Sequence, residues 1–301
     1  MRLDGVLFFP VTPFDAAGEL AEAVLARHVA DGVAAGAGGV FTACGTGEFN
    51  ALDPGEYGRA VTAAVTAAGG RVPVLGGAGG TLPAARAIAR EAAALGADGL
   101  LLMPPYLVNA PAAGLVRYVR DVAAASELPV IIYQRGNARF TPEAVAELAQ
   151  VPNIIGFKDG LGDFDLLQRI ILRVREAGHR DFTFFNGLPT AEFTMPAYRG
   201  LGVTLYSSAV FAFAPEIAIA FHKAFTAGDE ALVRRLLTGF YLPLVELRDL
   251  VPGYAVSLVK AGVRLRGLEV GGVRAPLVDP TAEHVERLER IVAAGLEIAG
   301  T

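Results

Sequence analysis

The sequence contains three lysines against 23 arginines, and one of these lysines stands apart by its position. Lys158 closes the apolar run Asn153-Ile-Ile-Gly-Phe-Lys, whereas Lys223 and Lys260 fall inside stretches of helical period. An amine at the end of an apolar strand is partly desolvated, which favours its neutral, nucleophilic form. The pattern therefore indicates a lysine that attacks a carbonyl carbon. The alternative is a lysine that extends out of the core to meet Asp159.

Tyr133 closes a similar run, Pro129-Val-Ile-Ile-Tyr, in what we predict to be the strand before that of Lys158. Consecutive strands of a parallel barrel are neighbours, so the phenol and the amine can face one substrate. A phenol in that position can shuttle protons. The alternative is an aromatic ring that caps the core with a satisfied hydroxyl.

Two further segments carry groups that suit carboxylates. In the turn Cys44-Gly-Thr-Gly-Glu, the glycines let backbone N–H groups point inward, Thr46 adds a hydroxyl, and a helix begins soon afterwards. The alternative is a turn that only reverses the chain. Cys44 lacks a nearby histidine in this motif, so we expect it to pack as a small buried residue and not to act as a nucleophile. Arg135, Asn137 and Arg139 follow Tyr133 in a cationic loop that suits a second carboxylate, unless these side chains are simply solvated.

Short apolar runs alternate with Ala-rich stretches of helical period, which predicts repeated βα units around a parallel sheet. Such strands are buried on both faces. We therefore predict an α/β fold, a (β/α)8 TIM barrel, with its chemistry at the carboxyl ends of the strands. The predicted strands are Val6–Val11, Gly39–Ala43, Val72–Gly76, Gly99–Met103, Val130–Tyr133, Ile154–Lys158, Phe182–Asn186 and Val203–Tyr206.

Helices are predicted between the strands and beyond the last of them. The chain should divide into a barrel of residues 1–226 and a C-terminal helical extension of residues 227–301, both in one structural unit. Strand-end position also makes Asn186, Ser207 and Ser208 candidates for binding the far end of a substrate. The predicted helices include Leu20–Ala35, Pro54–Ala68, Leu82–Leu95, Phe164–Ala177, Asp229–Glu246, Tyr254–Arg266 and Thr281–Ala299.

Composition narrows the function classes. Hydrophobic residues make up 53% and charged residues 19%, which predicts a large core. A net charge of −5 without a basic stripe argues against a nucleic-acid partner. No apolar run is long enough for a membrane span, and Asp4 with two early prolines argues against a signal peptide, so we expect a cytoplasmic protein. One cysteine and four scattered histidines predict no metal site, and Gly76-Gly-Ala-Gly-Gly lacks dinucleotide spacing, so no cofactor is expected.

Four motifs together resemble the dihydrodipicolinate synthase and N-acetylneuraminate lyase superfamily, through nearly the whole chain. They are Gly-Thr-Gly-Glu after the second strand, Pro104-Pro-Tyr after the fourth, Tyr133, and Gly156-Phe-Lys-Asp. The members are class I lyases and synthases that form a Schiff base with pyruvate or a related 2-keto acid, usually as homotetramers. The resemblance implies Lys158 as the Schiff-base lysine, Tyr133 as the proton shuttle, and Thr46 with the Gly47 amide as the site for the keto-acid carboxylate. Tyr106 would reach a neighbouring subunit.

Departures from the superfamily pattern narrow the activity. Gly45 and Leu107 stand where the lysine-biosynthetic synthase has a threonine and a tyrosine, so its three-residue proton relay cannot form. Gln134-Arg-Gly-Asn-Ala also lacks the Asn-x-Pro stretch of the synthase and the sialic-acid lyase. The Cys-Gly-Thr-Gly-Glu-Phe turn and the Tyr-Gln-Arg loop are similar to those of the 5-dehydro-4-deoxyglucarate dehydratase family.

That similarity implies conversion of 5-dehydro-4-deoxy-D-glucarate, a keto sugar diacid, to 2,5-dioxopentanoate with loss of water and CO2. In this reading Gly45, Thr46, Gly47, Arg135, Asn186, Ser207 and Ser208 bind the substrate. Two alternatives stay open: a Schiff-base aldolase of a 2-keto-3-deoxy sugar acid, and a keto-acid-binding barrel without turnover.

Overall fold

The computed structural model describes residues 1, 3–105 and 109–301. In this part of the chain, eight parallel strands close into a barrel in sequence order, and the last strand pairs with the first. The predicted TIM barrel is therefore confirmed. The strands are β1 (Leu7–Phe8), β2 (Gly39–Thr42), β3 (Val74–Ala78), β4 (Gly99–Leu102), β5 (Val130–Gln134), β6 (Ile154–Asp159), β7 (Thr183–Asn186) and β8 (Leu205–Ser208).

Helices follow the strands and surround the barrel. They are α1 (Glu22–Ala34), α2 (Pro54–Ala68), α3 (Leu82–Ala94), α4 (Ala112–Ala123), α5 (Pro142–Ala149), α6 (Phe164–Glu176), α7 (Met195–Gly200), α8 (Pro215–Ala227), α9 (Glu230–Leu236), α10 (Leu242–Arg248), α11 (Tyr254–Leu265) and α12 (Ala282–Ala299).

Local sequence signals explain why α2 has the predicted bounds. Asp53 caps its first turn by accepting from the Glu56 amide, and the Glu56 carboxylate accepts from the Asp53 amide. Pro54 occupies the first helical position, where no amide donor is needed. Gly69 ends the helix with a φ of 58°, a conformation that glycine adopts without strain.

Several predicted elements have other bounds in the structure: β1 is shorter than expected, β3 lies two residues further along the chain, and two differences fall in the last third of the chain. The single helix expected over Asp229–Glu246 is split into α9, a π-helical turn at Leu237–Tyr241, and α10. Pro243 at the start of α10 has no amide to donate, and the wider turn directly precedes it. β8 lies two residues further along the chain than expected and includes Ser207 and Ser208. Both serines thus lie within β8, and strand alternation directs them to opposite faces.

The side chains of the strands alternate between the barrel interior and the surrounding helices. The interior is filled by large apolar residues, whereas a second and larger core lies between the strands and the helices. Within the described residues, no helix is long and apolar enough to cross a bilayer. The interior set is Leu7, Phe9, Phe41, Cys44, Leu75, Leu101, Met103, Ile131, Tyr133 and Phe185.

The helices after the barrel pack back onto it. α12 contacts α8, α9, α10 and the π-helical turn, and α11 contacts α12 and the short 3-10 helix Val210–Ala212 after β8. The division at residues 226 and 227 stays a prediction. The arrangement nevertheless brings α10 and α11 over the carboxyl ends of the strands, where the cavity described below opens.

Candidate active site

Lys158 lies inside the barrel near the carboxyl end of β6, with 4% of its surface exposed. Its Nζ lies 4.2 Å from the centre of the Phe9 ring and 4.4 Å from that of Tyr133. Burial, together with the positive charge of Arg135, lowers the pKa of this amine to about 7. A substantial fraction of Lys158 is therefore neutral and nucleophilic near neutral pH.

Asp159 does not pair with Lys158, so the alternative interpretation of the lysine is wrong. Because neighbouring residues of a strand face opposite sides, the Asp159 carboxylate points out of the barrel. There it accepts hydrogen bonds from the Tyr198 hydroxyl (2.5 Å) and from the Gln134 amide (3.3 Å). This outward network fixes the end of β6, and among the described residues no carboxylate pairs with the Lys158 amine.

Tyr133 lies directly beside Lys158, because the two residues are paired in the register of β5 and β6. Its hydroxyl donates to the Gly187 carbonyl (2.9 Å) and accepts from the Arg135 guanidinium (3.2 Å). Burial raises the pKa of the phenol, while the charge and hydrogen bond of Arg135 act in the opposite direction. The phenol thus stays protonated at rest, with a cation placed to stabilise it when it loses its proton.

Gly187 is a residue of the site that the sequence analysis missed. A Cβ at this position would lie 2.5 Å from Lys158 Cε and 2.9 Å from Tyr133 Cε2. No side chain can occupy that space, so only glycine lets the backbone approach the two reactive groups and supply the carbonyl that Tyr133 bonds. A glycine immediately after a buried strand was the available signal.

The turn after β2 has the conformation needed to present polar groups to the barrel mouth. Gly45 and Thr46 line the cavity, and the Thr12 hydroxyl donates to the Gly47 carbonyl (2.7 Å). Below the turn, Cys44 is buried, and burial raises the pKa of its thiol to about 12. Cys44 therefore packs as an unreactive thiol, as expected, while Thr46 is free to contact a ligand.

Arg135 lines the cavity as a cation without an acidic partner. Within the described residues its guanidinium bonds the Tyr133 hydroxyl and pairs with no carboxylate. It also lies close to the turn, since a Cβ on Gly45 would be 4.0 Å from Arg135 Nη1. Asn137 and Arg139 are exposed, as Arg135 is, but they do not line the cavity. The charge of Arg135 is thus available to an anionic ligand next to Tyr133.

These groups share one cavity of about 510 Å³ at the carboxyl ends of the strands. Its size suits a small organic acid. The strand ends and their loops contribute Phe9, Gly45, Thr46, Asn50, Gly80, Met103, Pro104, Pro105, Tyr133, Arg135, Lys158, Gly187, Leu188, Pro189, Thr190, Ser207, Ala209, Val210 and Phe213. The helices beyond the barrel contribute Leu244, Arg248, Tyr254, Ala255, Val256, Leu258 and Val259, none of which was expected from the sequence.

The structure does not bring Asn186 and Ser208 to the cavity, although it does bring Ser207 there. Both excluded residues are fully buried on the outer side of the barrel. Asn186 donates to the Ala191 carbonyl (2.9 Å), and Ser208 donates to the Glu192 carboxylate. Both side chains point outward because successive residues of a strand face opposite sides. Ser208 follows the inward-facing Ser207, and Asn186 pairs in register with Asp159, which also faces outward.

Three further predictions concern the loop after β4, the Gly47 amide and metal binding. Tyr106 and Leu107 lie outside the described residues, so the expected contact of Tyr106 with a neighbouring subunit stays a prediction. Gly47 belongs to the turn but is not among the cavity-lining residues. In the described part of the chain, no group of three or more His, Cys, Asp or Glu side chains could hold a metal ion.

Curated relatives match the chain over almost its full length. The probable 5-dehydro-4-deoxyglucarate dehydratase 1 of Streptomyces avermitilis is 61% identical over 292 residues, which cover 97% of this chain and 93% of the relative. The probable 5-dehydro-4-deoxyglucarate dehydratase of Azotobacter vinelandii is 45% identical over 96% of this chain and 94% of its own length.

Solved structures of the same fold are also similar. YagE, a prophage protein from Escherichia coli K12 solved in complex with pyruvate, superposes with a TM-score of 0.84 at 28% identity, covering 96% of this chain and 98% of its own. Dihydrodipicolinate synthase from Bacillus clausii superposes with a TM-score of 0.89 at 23% identity, over 97% of each chain. The sequence profile of the dihydrodipicolinate synthetase family matches residues 2–295, and this chain therefore belongs to that family.

Proposed function

We propose that the protein is a decarboxylating dehydratase that converts 5-dehydro-4-deoxy-D-glucarate to 2,5-dioxopentanoate, CO2 and water. The observation that carries the proposal is Lys158, whose pKa is lowered to about 7 by burial and whose amine lies against Tyr133 in the cavity. The relatives named as probable 5-dehydro-4-deoxyglucarate dehydratases support this substrate, and the pyruvate complex of YagE supports a 2-keto acid as ligand.

The first step is covalent capture of the ketone. The neutral Lys158 amine attacks the carbonyl carbon next to one carboxylate, and loss of water leaves an iminium. Thr46 and the amides of its turn receive that carboxylate, which orients the ketone toward the amine. The positively charged iminium then acidifies the adjacent methylene.

Dehydration follows from that acidity. Tyr133, beside Lys158 in register, gives its phenolic proton to the hydroxyl that leaves as water when the iminium forms, and the resulting phenolate then removes a methylene proton to give an enamine. The enamine expels the hydroxyl from the next carbon, and the proton held by Tyr133 allows it to leave as water. The product of this step is an iminium conjugated with a carbon–carbon double bond.

Decarboxylation again uses the iminium on Lys158 as the electron acceptor. The bond to the distal carboxylate breaks, its electron pair flows through the double bond to the iminium nitrogen, and CO2 departs. The resulting dienamine is also an enol at the carbon that lost CO2; its protonation, tautomerisation of the enol to the aldehyde and hydrolysis of the iminium release 2,5-dioxopentanoate and restore Lys158. Each of these steps uses only acid–base and carbonyl chemistry, so we propose that no metal or organic cofactor takes part.

Arg135 is proposed to bind the distal carboxylate, because it is the cavity-lining cation next to Tyr133 that pairs with no carboxylate in the described residues. Ser207, which also lines the cavity, is proposed to bind a substrate hydroxyl. By resemblance to the family we further propose a cytoplasmic homotetramer in the breakdown of sugar diacids.

Product analysis tests the proposal. The protein is incubated with 5-dehydro-4-deoxy-D-glucarate, and CO2, 2,5-dioxopentanoate and pyruvate are measured together. We expect one CO2 for each 2,5-dioxopentanoate and no pyruvate. Release of pyruvate with an aldehyde would assign the chain to the aldolases, and binding without any product would assign it a non-catalytic role.

A further inference from the structure

The turn that presents Thr46 is held in a backbone conformation that its sequence does not favour. Ala43 and Glu48, at its two ends, have φ angles of 47° and 55°, in the left-handed region that residues with a Cβ rarely occupy. A short hydrogen-bonded loop closes between them, with the Glu48 amide bonding the Gly45 carbonyl at 3.1 Å. Such conformations persist only when the surroundings impose them.

The side chain of Glu48 shows what imposes this conformation. Glu48 Oε1 lies 2.7 Å from Lys260 Nζ, and the two side chains are 1% and 0% exposed. The two groups form a buried ion pair. Glu48 Oε2 accepts from the Arg274 amide at 2.9 Å. Both carboxylate oxygens of Glu48 are thus held by residues that follow the barrel in the chain.

The Lys260 side chain is held by further contacts besides Glu48. Its Nζ donates to the Gly272 carbonyl (2.7 Å) and lies 4.1 Å from the centre of the Phe14 ring. Burial lowers the pKa of this lysine, and the Glu48 carboxylate opposes that lowering. The amine and carboxylate therefore form a sequestered pair whose geometry is set from three directions.

The pair connects two walls of the cavity. Glu48 ends the turn after β2, and Lys260 is on α11, which also contributes Tyr254, Ala255 and Leu258 to the cavity lining. A buried ion pair adds little net stability compared with a well-packed apolar pair, but it specifies one geometry. The geometry specified here is that of the turn carrying Thr46.

We propose that Lys260 is a positioning residue, which through its ion pair with Glu48 holds the Gly45–Glu48 turn in the shape that receives the keto-acid carboxylate. This inference rests on the proposed function, because the turn has this role only if a keto acid binds at Lys158.

The test removes both charges together, so that no unpaired charge is left buried. The variant is Glu48→Gln with Lys260→Met. Its matched control is Glu216→Gln with Arg266→Met, which removes another ion pair of 2.5 Å between α8 and the end of α11, outside the cavity lining. Comparison of the two doubles separates positioning from the general effect of losing an ion pair.

The assay compares a ketone that has the carboxylate with one that lacks it. Borohydride inactivation is measured as a function of pyruvate and of hydroxyacetone, and the ratio of the two half-maximal concentrations is the preference for the carboxylate. We expect this preference to fall about tenfold or more in the Glu48/Lys260 double variant, the usual result of losing charge-assisted hydrogen bonds. The control should keep the wild-type ratio.

An unchanged ratio in the Glu48/Lys260 double variant overturns the inference, as does an equal fall in the control. If that variant does not fold, Glu48→Asp decides in the same assay: it keeps the charge but is one methylene shorter, and an unchanged ratio there overturns the inference too. Wild-type protein that pyruvate and borohydride do not modify would instead overturn the proposed function on which the inference rests.

Discussion

We expect Lys158 to be reactive because it is buried, and the pH dependence of kcat/KM tests this expectation. The pKa is lowered from its ordinary value of 10.5 to about 7, so the amine is protonated and inert below that pH and neutral above it. We therefore expect kcat/KM to rise with pH and reach half of its plateau near pH 7. A rise still unfinished far above that pH would show that the amine is not desolvated.

Removal of the Tyr133 hydroxyl, which makes two hydrogen bonds, tests whether this residue transfers protons or only packs at the barrel mouth. Tyr133→Phe removes the proton carrier but keeps the ring, so we expect kcat to fall by about 10²- to 10⁴-fold with the fold preserved. Tyr118→Phe is a matched control, because Tyr118 also donates to a backbone carbonyl, that of Gly80 (3.1 Å). A near-wild-type rate for Tyr133→Phe would reduce Tyr133 to the role of packing the barrel mouth.

Arg135 should matter most for a substrate with a second carboxylate. Arg135→Met removes the charge and keeps much of the bulk, so kcat/KM for the diacid should fall about tenfold to over a hundredfold. The fall should be much smaller for the corresponding 2-keto-3-deoxy monoacid. Arg139→Met, an exposed neighbour outside the cavity lining, provides the control. Equal losses on both substrates would mean that Arg135 acts only on Lys158 and Tyr133.

At the scale of the elements, sequence position predicted the strand ends well but not the direction of each side chain. Lys158 and Tyr133 were predicted to face one substrate, and they are paired in register on β5 and β6. Asn186 and Ser208 were also expected at strand ends, but they point outward. Direction alternates with every residue, so strand-end position alone does not tell which of two neighbouring residues faces the interior.

The connection between β7 and β8 depends on a buried carboxyl group. Glu192, in the 3-10 helix Ala191–Thr194 after β7, accepts a hydrogen bond from Ser208 at the end of β8. In the described residues its Oε2 has no hydrogen-bond partner. Burial raises the pKa of Glu192 from 4.5 to about 7, so a substantial fraction of this carboxyl group is neutral near neutral pH.

Because the pKa of Glu192 is raised in the folded state, its carboxyl group contributes to stability at pH values below the ordinary pKa of 4.5. This contribution is lost as the pH rises through about 7. Each unit of pKa difference is worth about 1.4 kcal/mol. Because an amide cannot ionise, Glu192→Gln should gain thermal stability relative to wild type between about pH 5 and pH 8. Glu143→Gln, at a side chain 69% exposed, should track wild type at each pH. Parallel curves for wild type and Glu192→Gln would show that Glu192 ionises freely.

At the scale of the whole molecule, the barrel could be predicted because it repeats one local pattern. Each buried strand is a short apolar run, and consecutive βα units are neighbours in space. The cavity wall formed by α10 and α11 could not be predicted in the same way. Contacts such as that between Glu48 and Lys260 join residues far apart in the chain, and the local periodicity of the sequence does not predict such contacts. A lysine within the apolar stretch Leu258-Val-Lys-Ala was the one sequence signal available.

Covalent trapping tests the central claim most directly. The protein is treated with borohydride in the presence of 5-dehydro-4-deoxy-D-glucarate or pyruvate, digested, and the modified peptide is sequenced by mass spectrometry. Lys158→Arg serves as the control, because a guanidinium stays protonated and cannot add to a carbonyl. We predict a reduced keto-acid adduct on Lys158 in the wild type, with no adduct and no turnover in the variant. An adduct on another residue, or turnover that survives Lys158→Arg, would contradict the account.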